Sequence, residues 1–594
     1  MEYDEYFQYP IDSVKLLAKK KRIKRYFNEN LKNPIRKKIA ILGGSTTDEV
    51  VDQMELFLLK NGISAEFYQS EYNQYWQDAM FGNEVLDVFQ PDVIYIHTSW
   101  RNILNFPVIG DDAETVQAKL TETYHHFEIA WNRLREKFSC PIIQNNFERP
   151  DHRLMGNRDI WDPCGKSNFI SQLNQKFYKF AAKNRDFYIN DIDYLAADFG
   201  LTKWNDAFYY HMYKYAMHLN AIPLVANNVV HIIKSLYGKN KKVLALDLDN
   251  TLWGGVIGDD GQEGIAIGQE TPEGQVFAEF QKYCKSLKDI GVILAVNSKN
   301  EESNALLGLN HPSGILRPND FVSIKANWQP KDANIVNIAA DLNLGVDSFV
   351  FVDDNPMERD IVKTQIRGVA VPAIEDAEHY IEVVDHEGYF ETTVISDEDL
   401  KKTEMYHANK QREAQQQSYS DYGEYLDSLQ MVATIQPFDD VAVSRIAQLT
   451  NKSNQFNLTT LRCSEDDIRH MKDSPDYITL LGSLADKFGD NGIVAITSGE
   501  ILADELHIRL WLMSCRVLKR GMEDAMMESL VALCKARNVK RLIGYYYPTA
   551  KNAMVKTFYE PYGFVLQEEN DRGDSKWMLD IENYISQKNH IAVK

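Results

Sequence analysis

Short apolar runs alternate with longer amphipathic segments through the first 237 residues. Three of the runs predict buried strands: KIAIL from Lys38, VIYIH from Val93 and PII from Pro141. The first is followed by a Gly-Ser turn and by DEVVDQMELFLLK, whose apolar residues recur at helical spacing. This order of elements predicts an α/β domain over residues 1–237, and a Lys- and Arg-rich helical segment precedes its first strand.

The same alternation returns over residues 238–385, after the polar hinge YGKNKK. Strands are predicted at VLALDLD, GVILAVNS and DSFVFVDD, and helices between them at EFQKYCKSLKDI and ANIVNIAADLNL. Strands separated by helices of this length imply right-handed crossovers, so a second α/β domain with a parallel sheet is expected.

The pattern changes again from residue 386. Residues 386–430 are polar and rich in glutamine, and they predict a helical connector. Residues 431–594 predict an α+β domain, with antiparallel strands at DYITLLGSLADK, GIVAITSG and ELHIRLWLMS, a helix after Gly521 and a closing strand at YGFVLQ. The predicted fold class is therefore α/β multidomain.

Composition narrows the class of protein and the cellular compartment that we expect. The chain has 594 residues, 44% of them hydrophobic, which supplies several cores and argues against disorder. Its formal net charge of −21 argues against a general nucleic-acid binder and against an anionic-membrane binder. The six cysteines show no CxxC spacing, and neither a signal-peptide pattern nor a long apolar run occurs, so we expect a cytoplasmic protein with reduced thiols.

Polar residues suited to phosphoryl transfer follow the strands predicted for the second domain. Asp247 and Asp249 end the first strand. Because side chains along a strand alternate between its two faces, these two carboxylates point to the same side. The other members of the set lie at later strand or helix boundaries: Ser298, Lys331, Asp353 and Asp354. Open α/β sheets bind ligands at the carboxyl ends of their strands, so we expect these side chains to meet there.

This set of residue types predicts a Mg²⁺-dependent reaction through a phosphorylated aspartate. Asp247 would attack phosphorus, and Asp249 would protonate the leaving group and later activate water. Lys331 would neutralise the phosphoryl group, and Ser298 would donate a hydrogen bond to it. The predicted metal-binding positions are Asp247, Asp249 (through a nearby backbone carbonyl), Asp353 and Asp354.

The strings DLDNTLW (247–253), NSKN (297–300), PKDAN (330–334) and VDDNPMER (352–359) resemble the haloacid dehalogenase superfamily of phosphotransferases. The longer strings DLDNTLWGGVIGDDG, NWQPK and FVFVDDNPMER look like its FkbH-like branch, of the subfamily IIIC type. The resemblance implies a Rossmann-like parallel sheet with Asp247 as nucleophile, Asp249 as acid and base, and Asp353 as metal ligand. The short spacings between the motifs predict an uncapped, open site, which suits a large or protein-borne phosphorylated substrate.

In the first domain, GGSTTDEV (43–50) resembles the opening block of the SGNH-hydrolase fold, with Ser45 in the nucleophile's place. That family also needs an Asp-x-x-His pair near the end of the domain. Here Asp206 is followed three residues later by Tyr209, and His211 is displaced. The departure leaves two alternatives, an esterase site or a binding remnant without hydrolase activity.

In the last domain, LHIRLWLMS, CRVLKRGMED and NAMVKTFYEPYGF resemble the GNAT acyltransferase fold. A strand–turn–helix there would bind a pyrophosphate or phosphopantetheine phosphate through Arg516, Lys519, Arg520 and Gly521. Tyr559 lies where that family often has a thiolate-protonating tyrosine, with a core aromatic as the alternative. Cys515 is either a transient acyl carrier or a buried, inert cysteine.

The FkbH-like resemblance implies an enzyme that takes a glyceryl or related acyl group from an acyl phosphate such as 1,3-bisphosphoglycerate. It implies loading of that group onto the thiol of an acyl carrier protein, in polyketide or polysaccharide biosynthesis. The expected cofactors are Mg²⁺ and either CoA or carrier-protein phosphopantetheine. The alternative is a plain Mg²⁺-dependent phosphatase with an acetyl-CoA-binding N-acetyltransferase domain.

Overall fold

The predicted strands and helices form in the computed structural model, which describes residues 3–31, 33–453, 455–514, 517–549 and 551–594. The chain divides into two units, Met1–Leu236 and Tyr237–Lys594. Among the described residues, no helix is both long and apolar enough to span a membrane.

The first unit contains a parallel sheet whose inner strands Val93–His97 and Ile142–Asn145 are buried along their whole length. The sheet has the order β2-β1-β3-β4-β5. Its strands are β1 (Ile35–Gly43), β2 (Ile63–Gln69), β3 (Val93–His97), β4 (Ile142–Asn145) and β5 (Phe187–Asn190). The helices are α1 (Ser13–Asn30), α2 (Asp48–Lys60), α3 (Tyr75–Phe81), α4 (Glu84–Phe89), α5 (Ala113–Phe138), α6 (Lys166–Lys183), α7 (Ile192–Phe199), α8 (Leu201–Trp204), α9 (Ala207–Tyr213) and α10 (Ile222–Leu236).

A buried carboxyl group lies beyond the end of β4 in this unit. Glu148 has no exposed surface, and one of its oxygens accepts a hydrogen bond from the backbone N–H of Trp100 at 3.3 Å. Burial raises the pKa of Glu148 to about 7. A raised pKa means that the folded state holds the proton more tightly than the unfolded chain does.

We therefore expect Glu148→Gln to change how stability depends on pH. The stabilising effect of the protonated group is complete below the unfolded pKa, near 4.5, and is lost as pH rises through 7. Between pH 4 and pH 8, the free energy of unfolding should fall by about 3 kcal/mol more in the wild type than in the variant. Urea unfolding across this range measures the difference, and two parallel pH profiles would contradict the expectation.

The second unit begins with another parallel sheet, of order β8-β7-β6-β9. Its strands are β6 (Val243–Leu246), β7 (Ile293–Ser298), β8 (Phe321–Ala326) and β9 (Phe349–Val352). The helices of this region are α11 (Ile257–Gly264), α12 (Pro272–Asp289), α13 (Glu302–Leu309), α14 (Lys331–Asp341), α15 (Pro356–Gln365) and α16 (Tyr380–His386). The chain between β6 and β8 consists of α11, α12, β7 and α13 with their loops, and no separate cap domain occurs in the described residues.

The polar stretch that follows is helical, as predicted, and leads into a mixed sheet of order β16-β17-β15-β14-β13-β12-β10-β18, with β11 paired to β14. The helices are α17 (Asp397–Leu400), α18 (Lys402–Gln416), α19 (Tyr422–Ser428), α20 (Val443–Lys452), α21 (Glu465–Asp473) and α22 (Met522–Ala536). The strands are β10 (Val432–Gln436), β11 (Phe456–Asn457), β12 (Tyr477–Asp486), β13 (Gly489–Leu502), β14 (Glu505–Met513), β15 (Arg541–Tyr546), β16 (Val565–Glu569), β17 (Ser575–Asp580) and β18 (Ala592–Val593). The predicted fold class is confirmed: two parallel α/β sheets precede a mainly antiparallel α+β region.

Candidate active site

The predicted phosphoryl-transfer residues meet at the carboxyl edge of the sheet formed by β6 to β9. Asp247 follows β6, Ser298 ends β7 and Asp353 follows β9. In the strand order, β6 lies between β7 and β9, and the backbone N–H of Asp247 donates to the carbonyl of Val352 at 3.0 Å. Asp247 therefore lies at the centre of the edge, with the other two groups on either side.

Lys331 is buried among the carboxylates. Its Nζ lies 2.9 Å from Asp247 Oδ2 and also pairs with Asp353 Oδ2, and only 3% of the Lys331 side chain is exposed. Burial by itself lowers the pKa of this lysine, but the two carboxylates outweigh that effect and raise it. Lys331 is therefore a fixed positive charge beside Asp247, as the sequence predicts.

Three carboxylates form a group that fits a divalent cation. Asp247, Asp353 and Asp354 place oxygens within 4.8 Å of one another. Asp247 Oδ1 is buried and has no hydrogen-bond partner, although a buried carboxylate oxygen ordinarily has one. Burial, followed by the charge of Asp247, raises the pKa of both Asp353 and Asp354, as expected where three carboxyl groups share a site with one lysine, and a bound cation would favour their ionised forms. Carboxylate oxygens are hard donors of the kind that Mg²⁺ prefers.

The carboxylate of Asp249 is not part of this group, and the metal role predicted near this residue was for a backbone carbonyl. Asp249 Oδ1 accepts hydrogen bonds from Trp253 Nε1 at 2.9 Å and from the Ile257 N–H at 3.0 Å, and Oδ2 accepts from Asn300 Nδ2 at 3.0 Å. Burial raises the pKa of Asp249, which favours a carboxyl group that can give and take a proton.

Several residues that support the site were not singled out from the sequence. Asn300 holds Asp249, and the Asn297 side chain donates to the backbone carbonyl of Lys331 at 2.9 Å. Thr251 Oγ1 accepts from the N–H of Asp354 at 3.2 Å, and Arg359 donates to the backbone carbonyls of Asp353 and Asp354. Asn297 and Asn300 flank Ser298 in the NSKN string, so their position at a strand end was the available signal.

Parts of this chain are similar to known proteins. The model of the FkbH N-terminal domain matches residues 38–234. The chain is also similar to the N-terminal part of a Bacteroides fragilis protein that contains a phosphatase domain and was crystallised with Mg. The identity is 29%, the match covers 63% of this chain and 99% of that chain, and the TM-score is 0.58. Each of these two matches covers only part of this chain.

Weaker likenesses involve a quarter of the chain. They include the Escherichia coli ribosomal-protein-S18-alanine N-acetyltransferase, at 16% identity over 25% of this chain and 94% of that chain, with a TM-score of 0.21. An N-acetyltransferase from Thermoplasma acidophilum in complex with coenzyme A has 13% identity over 25% of this chain and 98% of that chain, again with a TM-score of 0.21. Scores this low bear on neither activity nor ligand. None of the curated proteins matches this chain.

The predicted phosphate-binding turn before α22 has a different arrangement around Arg520. The Arg520 guanidinium is mostly buried and donates hydrogen bonds to Asp486 and Asn409. These contacts contradict the prediction that Arg520 is a phosphate ligand. Lys519 is exposed, and Gly521 begins α22 with a φ of 84°, in the left-handed region that glycine adopts readily. Cys515 and Arg516 lie outside the described residues.

The structure places Tyr559 in the hydrophobic core, which corrects its prediction as a proton donor. Tyr559 has no exposed surface, and its hydroxyl bonds to the backbone of Tyr545. Burial raises the pKa of Tyr559 far above its ordinary value. A group buried in this way packs the core and cannot reach a bound thiolate, so the alternative of a core aromatic is the correct one.

The hydrolase-like residues of the first unit lack the Asp-x-x-His pair of the SGNH-hydrolase fold, as the sequence shows. Ser45 is buried after β1, and its hydroxyl has no hydrogen-bond partner. The carboxylate of Asp206 accepts from the N–H of Tyr209 at 3.0 Å and lies 3.8 Å from Nε2 of His218, not beside His211. Asn102 Nδ2 donates to the carbonyl of Gly44 at 2.9 Å. The side-chain amide of Asn102 is therefore hydrogen-bonded within the protein.

Proposed function

We propose that the chain is a Mg²⁺-dependent enzyme of the haloacid dehalogenase superfamily that transfers phosphoryl groups through an aspartyl phosphate. The observation that carries the proposal is the unpartnered oxygen of Asp247, which lies in the cluster of Asp353 and Asp354 with Lys331 at its side. A carboxylate oxygen left without a hydrogen bond, next to a buried cation, is the arrangement that a nucleophile needs. The similar Bacteroides fragilis structure, with its phosphatase domain and Mg, supports the proposal.

The residues divide the chemistry between two steps. In the first, Asp247 Oδ1 bonds to phosphorus, the bond from phosphorus to the leaving oxygen breaks, and Asp249 gives that oxygen a proton. In the second, Asp249 takes a proton from water, the water oxygen bonds to phosphorus, and the bond to Asp247 breaks. Lys331 and Ser298 stabilise charge on the phosphoryl oxygens. Asp247, Asp353 and Asp354 are the residues that would hold Mg²⁺, which when bound neutralises phosphoryl charge.

Removal of one metal ligand tests the cation's role. We expect phosphate release from acetyl phosphate and from 4-nitrophenyl phosphate in Mg²⁺, and its loss in a chelator. Asp353→Asn should raise the Mg²⁺ concentration needed for half-maximal activity by about tenfold or more, because a buried anionic ligand is lost. A Mg²⁺ titration of phosphate release measures this shift, and release that a chelator leaves unchanged would refute the metal-dependent mechanism.

The finer assignment is acyl transfer of the FkbH-like kind, and it rests on the sequence resemblance. In this proposal the phosphatase domain accepts an acyl phosphate such as 1,3-bisphosphoglycerate, and a glyceryl or related acyl group passes to the thiol of an acyl carrier protein. CoA or carrier-protein phosphopantetheine would serve the GNAT-like domain over residues 431–594. The alternative is a phosphatase whose last domain is an N-acetyltransferase.

Cys515 separates these two assignments. If Cys515 carries an acyl group, Cys515→Ala should abolish loading of a carrier thiol and leave phosphate release unchanged. If the chain is a plain phosphatase, the same change should alter neither activity. Mass spectrometry of the carrier protein together with a phosphate assay distinguishes the two results.

We propose that the first domain, over residues 1–237, is SGNH-like. It would contribute a binding surface rather than hydrolysis.

A further inference from the structure

A second lysine lies at the edge of the sheet where Asp247 is placed. Lys299 follows the end of β7, and its Nζ lies 2.5 Å from Oε1 of Glu358, in the first turn of α15 after β9. Because β7 and β9 are the two neighbours of β6, this contact spans the end of the strand that leads to Asp247. We call Lys299 and Glu358 the bridging pair.

Segments that contact the site hold both members of the bridging pair. Asn300, the residue after the lysine, donates to Asp249 Oδ2 at 3.0 Å. Arg359, the residue after the glutamate, donates to the backbone carbonyl of Asp353 at 2.6 Å. The bridging pair is therefore fixed beside Asp249 on one side and beside the candidate metal site on the other.

The lysine of the bridging pair is accessible, whereas the glutamate is mostly buried. The side chain of Lys299 is 39% exposed and that of Glu358 is 12% exposed. An ammonium group has three N–H donors, and the hydrogen bond to Glu358 uses one of them. Lys331 differs, because only 3% of its side chain is exposed and two carboxylates surround its charge. Of these two lysines, Lys299 is therefore the one placed to bind a group beyond the candidate metal site.

Carboxylates dominate the charge at this edge of the sheet. The three aspartates of the candidate metal site place oxygens within 4.8 Å of one another, and Glu358 adds a fourth acidic group. A substrate with an anionic group besides its reacting phosphoryl group would be repelled here unless a cation met that group. The Cα atoms of Ser298 and Lys299 are about 3.8 Å apart, as across any trans peptide. A group bound to Lys299 would therefore lie only a few bonds from a phosphoryl group bound to Ser298.

We propose that Lys299 determines specificity by binding a second anionic group, a phosphate or a carboxylate, on the part of the substrate that leaves phosphorus. Glu358 orients the ammonium group of Lys299 and weakens its charge, so the bridging pair sets how strongly the second group is bound. This inference rests on the proposed function and narrows it to substrates with two anionic groups. Acyl phosphates with a second phosphate, 1,3-bisphosphoglycerate among them, belong to this class.

Two phosphate esters that differ by one phosphate group test the inference: propyl phosphate and propane-1,3-diyl bisphosphate. With kcat/KM counted per phosphoryl group, the wild type should prefer the bisphosphate by about tenfold, the scale of one hydrogen bond to a charged group in a partly exposed site. The preference should lie in KM, because the second group is bound alike in substrate and transition state. It should weaken as the salt concentration rises, because a partly exposed charge is screened. The ester with a carboxylate in place of the second phosphate, 3-phosphonooxypropanoate, should gain less, because its second group carries one charge.

Variants of the bridging pair should change this preference in opposite directions. Lys299→Met should bring the ratio of kcat/KM between bisphosphate and monophosphate close to one, and Lys299→Arg should keep most of the ratio because the positive charge remains. Glu358→Gln keeps an oxygen for the Lys299 N–H and removes a negative charge, so the ratio should rise about threefold. Lys363→Met removes an exposed lysine from the last turn of α15 and should leave the ratio unchanged.

A wild-type ratio near one would overturn the inference and leave the proposed function intact. A folded Lys299→Met variant that keeps the wild-type ratio would do the same. If Lys299→Met does not fold, an unchanged ratio in Glu358→Gln would equally overturn the inference. No phosphate release from these esters, from acetyl phosphate or from 1,3-bisphosphoglycerate would instead overturn the proposed function, and this inference with it.

Discussion

Asp247→Asn is expected to abolish Mg²⁺-dependent phosphate release, with a fall in kcat of at least about 10⁴-fold, the scale on which loss of a covalent nucleophile is felt. The reason is geometric as well as chemical. The unpartnered oxygen of Asp247 belongs to the carboxylate that Lys331 contacts and is grouped with Asp353 and Asp354, and an amide is a poor nucleophile and a poor metal ligand. Phosphate assays with wild type and variant at saturating Mg²⁺ measure the loss.

The matched control is Asp289→Asn, which makes the same chemical change at an exposed position at the end of α12. It should leave kcat within about twofold of wild type, as expected for a surface substitution away from the site. Thermal unfolding in a chelator shows whether Asp247→Asn remains folded. A folded variant that still releases phosphate at a rate near wild type would remove Asp247 from the nucleophile's role.

Lys331→Met is expected to impair both activity and stability. The variant leaves Asp247 and Asp353 buried without their cation, and loss of one member of a buried ionic pair typically costs about 3–5 kcal/mol. In a chelator at pH 8, urea unfolding should show that the free energy of unfolding falls by about 3 kcal/mol, with partial recovery when Mg²⁺ binds. Loss of the charge beside the phosphoryl group should also lower kcat by about 10²-fold or more.

Lys325→Met provides the comparison. Lys325 is the other lysine near the β8 end, but it pairs with Asp341 at 3.0 Å in a partly exposed ion pair. Such a pair contributes less than about 1 kcal/mol, so the variant should unfold and react almost as wild type does. Equal effects of the two substitutions would mean that the position of Lys331 among the carboxylates is not what makes it important.

Most of the site could be predicted because its polar residues lie at the ends of predicted strands. VLALDLD, GVILAVNS and SFVFVDD each join an apolar run to a polar group, and parallel strands bring such groups to one edge. The edge strand β8 was not predicted, because the polar residues Ser323 and Lys325 interrupt its apolar character. Its position beside β7 depends on pairing over distance, which local pattern does not contain.

The incorrect assignments have a common physical origin. Arg520 and Tyr559 were assigned from residue type and position in a motif, whereas their roles depend on partners far along the chain. Arg520 pairs with Asp486, which also pairs with Arg412 of the connector helix α18. The acid and base role of Asp249 stays a prediction, and its carboxylate lies outside the metal group because it bonds to Trp253 and Asn300.

Because β6 lies inside the sheet, the nucleophile at its end is separated from the segments that follow the outer strands. The nucleophile lies on an inner strand, whereas Trp328 and Met357 belong to segments that follow the two outer strands, β8 and β9. Segments of that kind can change in length and composition while the paired strands keep Asp247 in place. Exchange of residues 327–329 between related chains would therefore change an exposed segment after β8 without rebuilding the catalytic centre. The same architecture gives evolution a route to new substrates that leaves the reaction itself intact.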